Sequence, residues 1–333
     1  MKSKRTVVVA LLVLALMLII FCAALMIGRY NVSPGRFFEA LVGEKDREVE
    51  RSIIMNLRLP RTIVAALVGM ALSLSGLLYQ ETFQNMLVSP DLLGVSSGAG
   101  VGAAIAIVAG FSSVFVGAFA FVFGIGTVML TILVSRVFRN RSSLTMVLSG
   151  IIVGGLAGAI QAFVKYLAGT ESTLASITFW LMGSFEDSTM DDVWMLLPIV
   201  LSCVAVFFVL RWRINIVAMG SEEAQTRGIN YRLYRGIIIV MATLLTAASV
   251  SVSGTIGWIG LVVPHIVRCL VGRNTARTIP LSILFGAVFM MIADILARTF
   301  TAAEIPLSAV TGFFGTIVFV LILLLKGRSY AHD

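Results

Sequence analysis

The chain has 333 residues, of which 59% are hydrophobic and only 13% charged, and its mean hydropathy is +1.01. Soluble domains are about half apolar and about a quarter charged, so this composition excludes a water-soluble enzyme, a disordered chain and a coiled coil. Each crossing of a bilayer needs about 20 apolar residues, so the length allows about ten crossings. We predict an all-α polytopic membrane protein with about ten transmembrane helices, forming a single transmembrane domain over residues 1–333.

Ten apolar runs follow one another along the chain, separated by charged or Pro- and Gly-containing breaks. They lie at 6–28, 62–82, 93–110, 113–135, 144–167, 192–211, 234–252, 256–271, 279–297 and 307–325. If the N-terminus is inside, most of the 25 Lys and Arg residues fall in inner loops. Because Lys and Arg favour the cytoplasmic side, both termini are predicted to be cytoplasmic. The basic residues are scattered rather than gathered on one face, so the net charge of +8 indicates a lipid bilayer and not nucleic acid as the partner.

Two polar segments interrupt this pattern. Residues 29–61 form a mixed-charge outer loop and the approach to the second span, and residues 212–235 form an inner loop. No G-x-x-x-x-G-K-[ST] phosphate-binding motif occurs in the chain, so an ATPase that drives transport would be another polypeptide. The inner loop is then the natural docking surface for it, although an ordinary connecting loop explains the same residues equally well.

A few polar residues lie where the bilayer makes them costly. Arg58 and Arg61 bracket a proline at the start of the second span, where they would bind either lipid phosphates or the carboxylates of an outer partner. Asp294 and Arg298 have the spacing of a helical ion pair. The polar stretch 79–94 is either an inner loop or part of a pathway. No chain of Asp, Glu and His runs through the spans, which disfavours a proton-coupled transporter.

Several motifs, taken in order, carry a resemblance to a known family. They are Arg58-Leu-Pro-Arg61, the run from Gly76 through Gln80, Asn85 and Pro90 to Gly94-Val-Ser-Ser-Gly98, Trp180-Leu-Met-Gly183, Gly254-x-Ile-Gly-x-Ile-Gly260 followed by Pro264-His-Ile-Val-Arg268, Ala293-Asp-x-x-Ala-Arg298, and Glu304-Ile-Pro306. Together they resemble the FecCD-type permeases, the membrane subunits of ABC importers for iron-siderophores, haem and vitamin B12. The resemblance covers nearly the whole chain.

The resemblance implies a type II ABC importer permease architecture in a bacterial or archaeal cytoplasmic membrane. It implies a second permease subunit, most simply in a homodimer, together with two cytoplasmic ABC ATPase subunits and an extracytoplasmic substrate-binding protein. A permease of this kind is not itself an enzyme and needs no cofactor. The sparse charge within the spans favours a bulky metal chelate as cargo. The alternative is an ion-gradient-driven secondary transporter of a small organic substrate.

The resemblance also assigns roles to individual residues. Docking of the binding protein falls to three arginines, namely Arg58, Arg61 and Arg298. Coupling to the ATPase falls to Gly220, Glu222, Glu223, Ala224, Arg227 and Gly228. The gate and pathway include Gln80, Asn85, Pro90, Ser142 and Ser143. The chain departs from the family pattern at Met86-Leu-Val88, Trp258 and Gly315-Thr-Ile, which bears on the cargo more than on the architecture.

Overall fold

The computed structural model describes residues 2–42, 45–138 and 143–330, and the regular structure in these ranges is entirely helical. Within them lie fourteen α-helices: α1 (Lys2–Met26), α2 (Pro34–Val42), α3 (Glu48–Ser52), α4 (Leu59–Phe83), α5 (Val95–Val108), α6 (Ser113–Val137), α7 (Ser143–Tyr166), α8 (Glu171–Met182), α9 (Met190–Val217), α10 (Ser221–Thr226), α11 (Tyr231–Ser253), α12 (Ile259–Val271), α13 (Thr275–Thr299) and α14 (Leu307–Tyr330). Short 3₁₀ turns occupy Lys45–Arg47 and Pro90–Leu93, and a π-helical segment spans Ile53–Arg58.

The number of membrane helices agrees with the ten predicted from the apolar runs. Seven helices in the described residues are long and apolar enough to cross a membrane, α5 and α12 are shorter apolar helices, and an apolar stretch at Leu307–Ile322 lies within α14. At a rise of about 1.5 Å per residue, α5 and α12 are each only about 20 Å long, which is less than the roughly 30 Å hydrocarbon core. Each of these two helices is therefore too short to cross the core alone.

Helix α4 forms the centre of the bundle, and most of its residues are buried against α9, α11, α12 and α13. Small residues let these backbones approach closely: a Cβ atom on Gly69 would overlap Gly286, and one on Gly76 would overlap Gly260. Hydroxyl groups add hydrogen bonds between helices, such as that from Ser73 Oγ to the Ser282 carbonyl at 2.8 Å. Such close contacts and interhelical hydrogen bonds hold helices together in lipid, where apolar burial between helices contributes little.

Two glycines of α5, Gly98 and Gly102, pack against α6. A Cβ atom on Gly98 would overlap Thr127, and one on Gly102 would overlap the Phe119 carbonyl. On α7, a Cβ atom on Gly150 would overlap the Leu92 carbonyl in the 3₁₀ turn that precedes α5. The turn before α5 is therefore packed against α7 rather than lying free.

The two polar segments are more helical than expected. The predicted outer loop 29–61 contains α2, α3 and the π-helical segment, which continues into α4 without a break. The predicted inner loop 212–235 shortens to residues 218–230, because α9 runs on to Val217 and α11 starts at Tyr231. The extension of α9 is stabilised by burial of its last apolar side chains, Ile214, Ile216 and Val217.

Candidate functional site

The end of the bundle that is predicted to face outside holds a buried cluster of charged side chains centred on Arg61. The Arg61 Nε donates to Asp294 Oδ1 at 2.8 Å, and its two terminal nitrogens donate to the two carboxylate oxygens of Glu304 at 2.7 and 2.8 Å. Asp294 also lies 3.4 Å from the Nε of Arg298, the ion pair expected from their spacing. A bidentate contact of this kind fixes the guanidinium in the plane of the carboxylate. The cluster thus joins α4, α13 and the chain before α14.

Arg58 and Arg298 bind the carboxyl-terminal end of α1. Arg58 Nη1 donates to the carbonyls of Leu25 and Met26, both at 2.9 Å, and its Nη2 donates to the Tyr30 carbonyl. Arg298 Nη2 donates to the Ala24 carbonyl at 2.6 Å. The last carbonyls of a helix have no partner within it and carry a partial negative charge, so a cation is favoured there. These two arginines therefore cap α1 from outside the helix.

This geometry corrects the position expected for the three arginines. Arg58, Arg61 and Arg298 were expected to face an outer partner, whereas only 5–8% of each residue is exposed and each is bonded within the chain. The three guanidinium groups can be buried because carbonyl and carboxylate oxygens of the chain replace the water that these groups would otherwise bind. Contact with a binding protein remains a prediction, and it would require some of these bonds to be exchanged.

At the other end of α4, which is the predicted inner end, lie three of the predicted pathway residues, Gln80, Asn85 and Pro90. The buried Gln80 donates from Nε2 to the carbonyls of Val88 and Gly260, both at 3.2 Å. Asn85 is exposed and closes a turn, with its Oδ1 accepting from the Leu87 amide at 2.9 Å. Pro90 is buried and packs closely against Gly260, because a Cβ atom on Gly260 would overlap the proline ring. The chain between α4 and α5 is therefore folded into the bundle and held against the start of α12.

Arg268 completes this inner network and was not assigned a role from the sequence. Its Nη1 donates to Gln80 Oε1 at 2.6 Å, and its Nη2 lies 3.1 Å from Glu81 Oε1. The Arg268 side chain is 3% exposed and that of Glu81 15%. In the sequence, Arg268 and Glu81 each lie near the predicted inner end of an apolar run. No local pattern indicates that Arg268 contacts Glu81 and Gln80, which lie 187 and 188 positions away.

The remaining gate prediction falls between α6 and α7. Ser143 begins α7, and its Oγ lies 3.4 Å from Nη2 of Arg235 on α11. Ser142 lies outside the described residues. The contact at Ser143 connects the start of α7 to α11, and its role in gating remains a prediction.

The predicted coupling residues surround the short helix α10. Glu222 and Arg227 are exposed, and Arg227 pairs with Glu223 at 2.6 Å across one turn. Ala224 is fully buried and fixes the helix to the core, so it offers no surface to a partner. Gly220 and Gly228 flank α10 with φ angles of +113° and +70°, values that favour glycine. The segment is thus a short polar helix held between two sharp turns.

The described residues show no group of three or more His, Cys, Asp and Glu side chains placed to hold a metal ion. The buried carboxylates instead contact residues of the same chain. Asp294 and Glu304 bind Arg61, Glu81 binds Arg268, and Asp91 accepts a hydrogen bond from Ser96. The charged groups therefore serve contacts between parts of the chain.

A helical bundle with seven helices long and apolar enough to cross a membrane, in the part of the chain that the structure describes, is the architecture of a multi-pass membrane protein. The family model of the FecCD transport family matches residues 16–325, and the chain belongs to this family. It is 37% identical over 319 residues to the molybdate import system permease protein MolB of Haemophilus influenzae, covering 94% of this chain and 95% of that protein. It is 33% identical over 317 residues to the vitamin B12 import system permease protein BtuC of Citrobacter koseri, covering 94% and 92%.

A solved structure described as an inward-facing metal-chelate type ABC transporter superposes with a TM-score of 0.87 at 36% identity, covering 95% of this chain and 98% of that one. The predicted family and architecture are thereby confirmed. The chain is a permease subunit of an ABC importer, a multi-pass membrane protein that transports rather than catalyses.

Proposed function

We propose that this permease moves a metal chelate, of the iron-siderophore, haem or cobalamin type, into the cell with ATP hydrolysed by separate subunits. The observation that supports this cargo is the use of the buried carboxylates within the chain. Asp294 and Glu304 are bound by Arg61, and Glu81 by Arg268. A bare cation needs a cage of carboxylate or carbonyl oxygens. A chelate brings its own ligands and does not.

The cargo is tested by uptake into proteoliposomes that contain the complex and internal ATP. We expect the complex, with its binding protein, to take up at least one chelate of the three types. Uptake of a free metal ion without any chelate would contradict the proposal. So would uptake of a free oxyanion alone, which includes the molybdate named for the Haemophilus relative. Uptake that follows a proton or sodium gradient without ATP would favour the alternative of a secondary transporter.

Docking of the ATPase is proposed at residues 219–228, around α10. The segment presents exposed charges on a helix anchored by the buried Ala224, so a partner's push on α10 is transmitted to the bundle. The test is co-purification of a soluble ATPase in mild detergent. We expect Glu222→Ala with Arg227→Ala to reduce the bound ATPase at least fivefold. The matched control, Glu186→Ala with Arg51→Ala, removes one acid and one arginine from the other side and should retain it.

A second copy of the permease is proposed to pack against α7. Gly155 and Gly158 are exposed on this helix, and a Cβ atom at either position would meet nothing within 4 Å. Small residues on an outer face let a second helix approach closely. Cysteine at position 158 should therefore cross-link two copies in membranes, while cysteine at the packed Gly150 should not.

The proposed orientation places both termini and α10 in the cytoplasm and α2 and α3 outside. Its support is the bias of Lys and Arg toward the loops on the α10 side. Reporter fusions after residues 110 and 220 should give opposite results, with an enzyme that is active only outside the cytoplasm working at the first position. The binding protein would then dock at the outer end, where carboxylates on its surface would compete with Glu304 for Arg61.

A further inference from the structure

Gln84 occupies an unusual position between the coupling segment and the centre of the bundle. It follows the last residue of α4 with φ +51° and ψ +32°, in the left-handed region that side chains other than glycine rarely adopt. Its Nε2 donates to the carbonyl of Ala218 at 3.3 Å. A Cβ atom on the neighbouring Gly220 would lie 3.0 Å from the same nitrogen. The amide group therefore lies against the turn that leads into α10.

The backbone at Gln84 does not need this side chain. The turn is closed by main-chain hydrogen bonds, from the Gln84 amide to the Glu81 carbonyl at 3.3 Å and from the Asn85 amide to the Gln80 carbonyl at 3.1 Å. Glycine would adopt the same conformation without steric cost. What glutamine adds is the link to Ala218. A strained residue that makes one specific contact is a reasonable starting point for a functional hypothesis.

One turn before Gln84 lies the inner network described above. Gln80 binds Arg268 on α12 and the carbonyls of Val88 and Gly260, and Glu81 binds the same arginine. A displacement of the end of α4 therefore acts directly on α12 and on the turn that carries Pro90. Coupling between sites is carried through packed elements and hydrogen-bond networks of this kind. Gln84 joins this network directly to the turn entering α10, through its bond to the Ala218 carbonyl.

We propose that Gln84 is a positioning residue that transmits movement of the coupling segment to the Gln80–Arg268 network and so to the chain between α4 and α5. The proposal rests on the proposed docking of an ATPase at residues 219–228. In this view the link from Gln84 to Ala218 makes α10 and the end of α4 move together. Without the link, the ATPase still binds and hydrolyses ATP, but its movement reaches the pathway less efficiently.

The test uses two substitutions that share only the loss of the amide donor. Gln84→Glu keeps the size of the side chain and cannot donate to Ala218, whereas Gln84→Gly removes the side chain and relieves the backbone. The control, Asn56→Asp, makes the same amide-to-acid change at an exposed residue on the opposite side, where its Nδ2 donates to Ser52 at 3.2 Å. In the reconstituted complex, both Gln84 variants should lower the cargo transported per ATP at least fivefold. Bound ATPase and ATP hydrolysis should stay within about twofold.

A second measurement on the permease alone separates this proposal from the docking proposal. Hydrogen exchange at the amides of residues 85–94 should accelerate at least threefold in both Gln84 variants and remain unchanged in Asn56→Asp. Unchanged exchange, or an unchanged ratio of transport to ATP, would overturn the role of Gln84. A wild-type complex that binds no ATPase would contradict the docking proposal instead, and the exchange data would still decide whether Gln84 holds the segment.

Discussion

Replacing Asp294 with alanine should destabilise the permease strongly, because this carboxylate lies between two buried guanidinium groups. The Asp294 side chain is 1% exposed, and those of Arg61 and Arg298 are 9% and 6% exposed. Removing one partner of a buried ion pair costs about 3–5 kcal/mol, since the remaining charge stays buried without compensation. Glu304 still binds Arg61 in the variant, so the greater part of the loss falls on Arg298.

The measurement is the temperature at which the detergent-solubilised protein loses its monodisperse peak on size exclusion. A loss of about 3–5 kcal/mol corresponds to a decrease of about 4–7 °C for a chain of this size. Arg227→Ala is the matched control, because it breaks the 2.6 Å ion pair between Arg227 and Glu223, whose side chains are 47% and 39% exposed. Exposed pairs contribute about 1 kcal/mol or less. The reasoning is refuted if the two variants lower the transition by the same amount.

Three further predictions concern helix packing, the arginine bound to the end of α1 and the cap of α9. Gly76→Ala should reduce the folded yield severely because its methyl group would overlap Gly260, whereas Gly126→Ala, with open space around it, should leave the yield unchanged; fluorescence size exclusion compares the two directly. Arg58→Lys should expose the chain after α1 to limited proteolysis, because an ammonium cannot bind three carbonyls with the geometry of a guanidinium. Thr189→Ala should cost about 1 kcal/mol, seen as a small thermal shift, because it removes the hydroxyl of the N-cap residue of α9 while the backbone amide of residue 189 can still donate to Asp192.

The membrane helices could be predicted because apolar runs of about 20 residues have few other uses. The same signal overestimated the lengths of α5 and α12, because the apolar runs 93–110 and 256–271 continue beyond the ends of these helices. The backbone leaves the helix at Gly94, with φ +81°, and between Gly254 and Trp258, with φ angles of +67° and +70°. Composition does not reveal these breaks. Helix α8, which is too short for a span and mixed in composition, was not identified as an element.

The charged sites were harder to predict because their partners lie far apart in sequence. The pair Asp294 and Arg298 was visible, since four residues separate them on one helix. Arg61 binds residues 233 and 243 positions away, and no local pattern indicates which acids approach it. Gln84 gives no signal in the sequence at all, because its role follows from a left-handed backbone and from a neighbour 134 positions along the chain.

The two networks lie at opposite ends of α4, and this arrangement constrains how the permease can change state. Arg61 ties the start of α4 to α13, while Gln80 and Glu81 tie its end to α12 through Arg268. Between them, Gly69 and Gly76 of α4 pack closely against Gly286 of α13 and Gly260 of α12. A ligand shifts such a system only by favouring one arrangement over another. A change between outward- and inward-facing states must therefore move α4 together with α12 and α13, or exchange the bonds at one end while those at the other remain. If the bonds at one end are exchanged, each lost bond needs a replacement. An acidic partner at the Arg61 end and an ATPase at the α10 end are the kinds of ligand that could supply it.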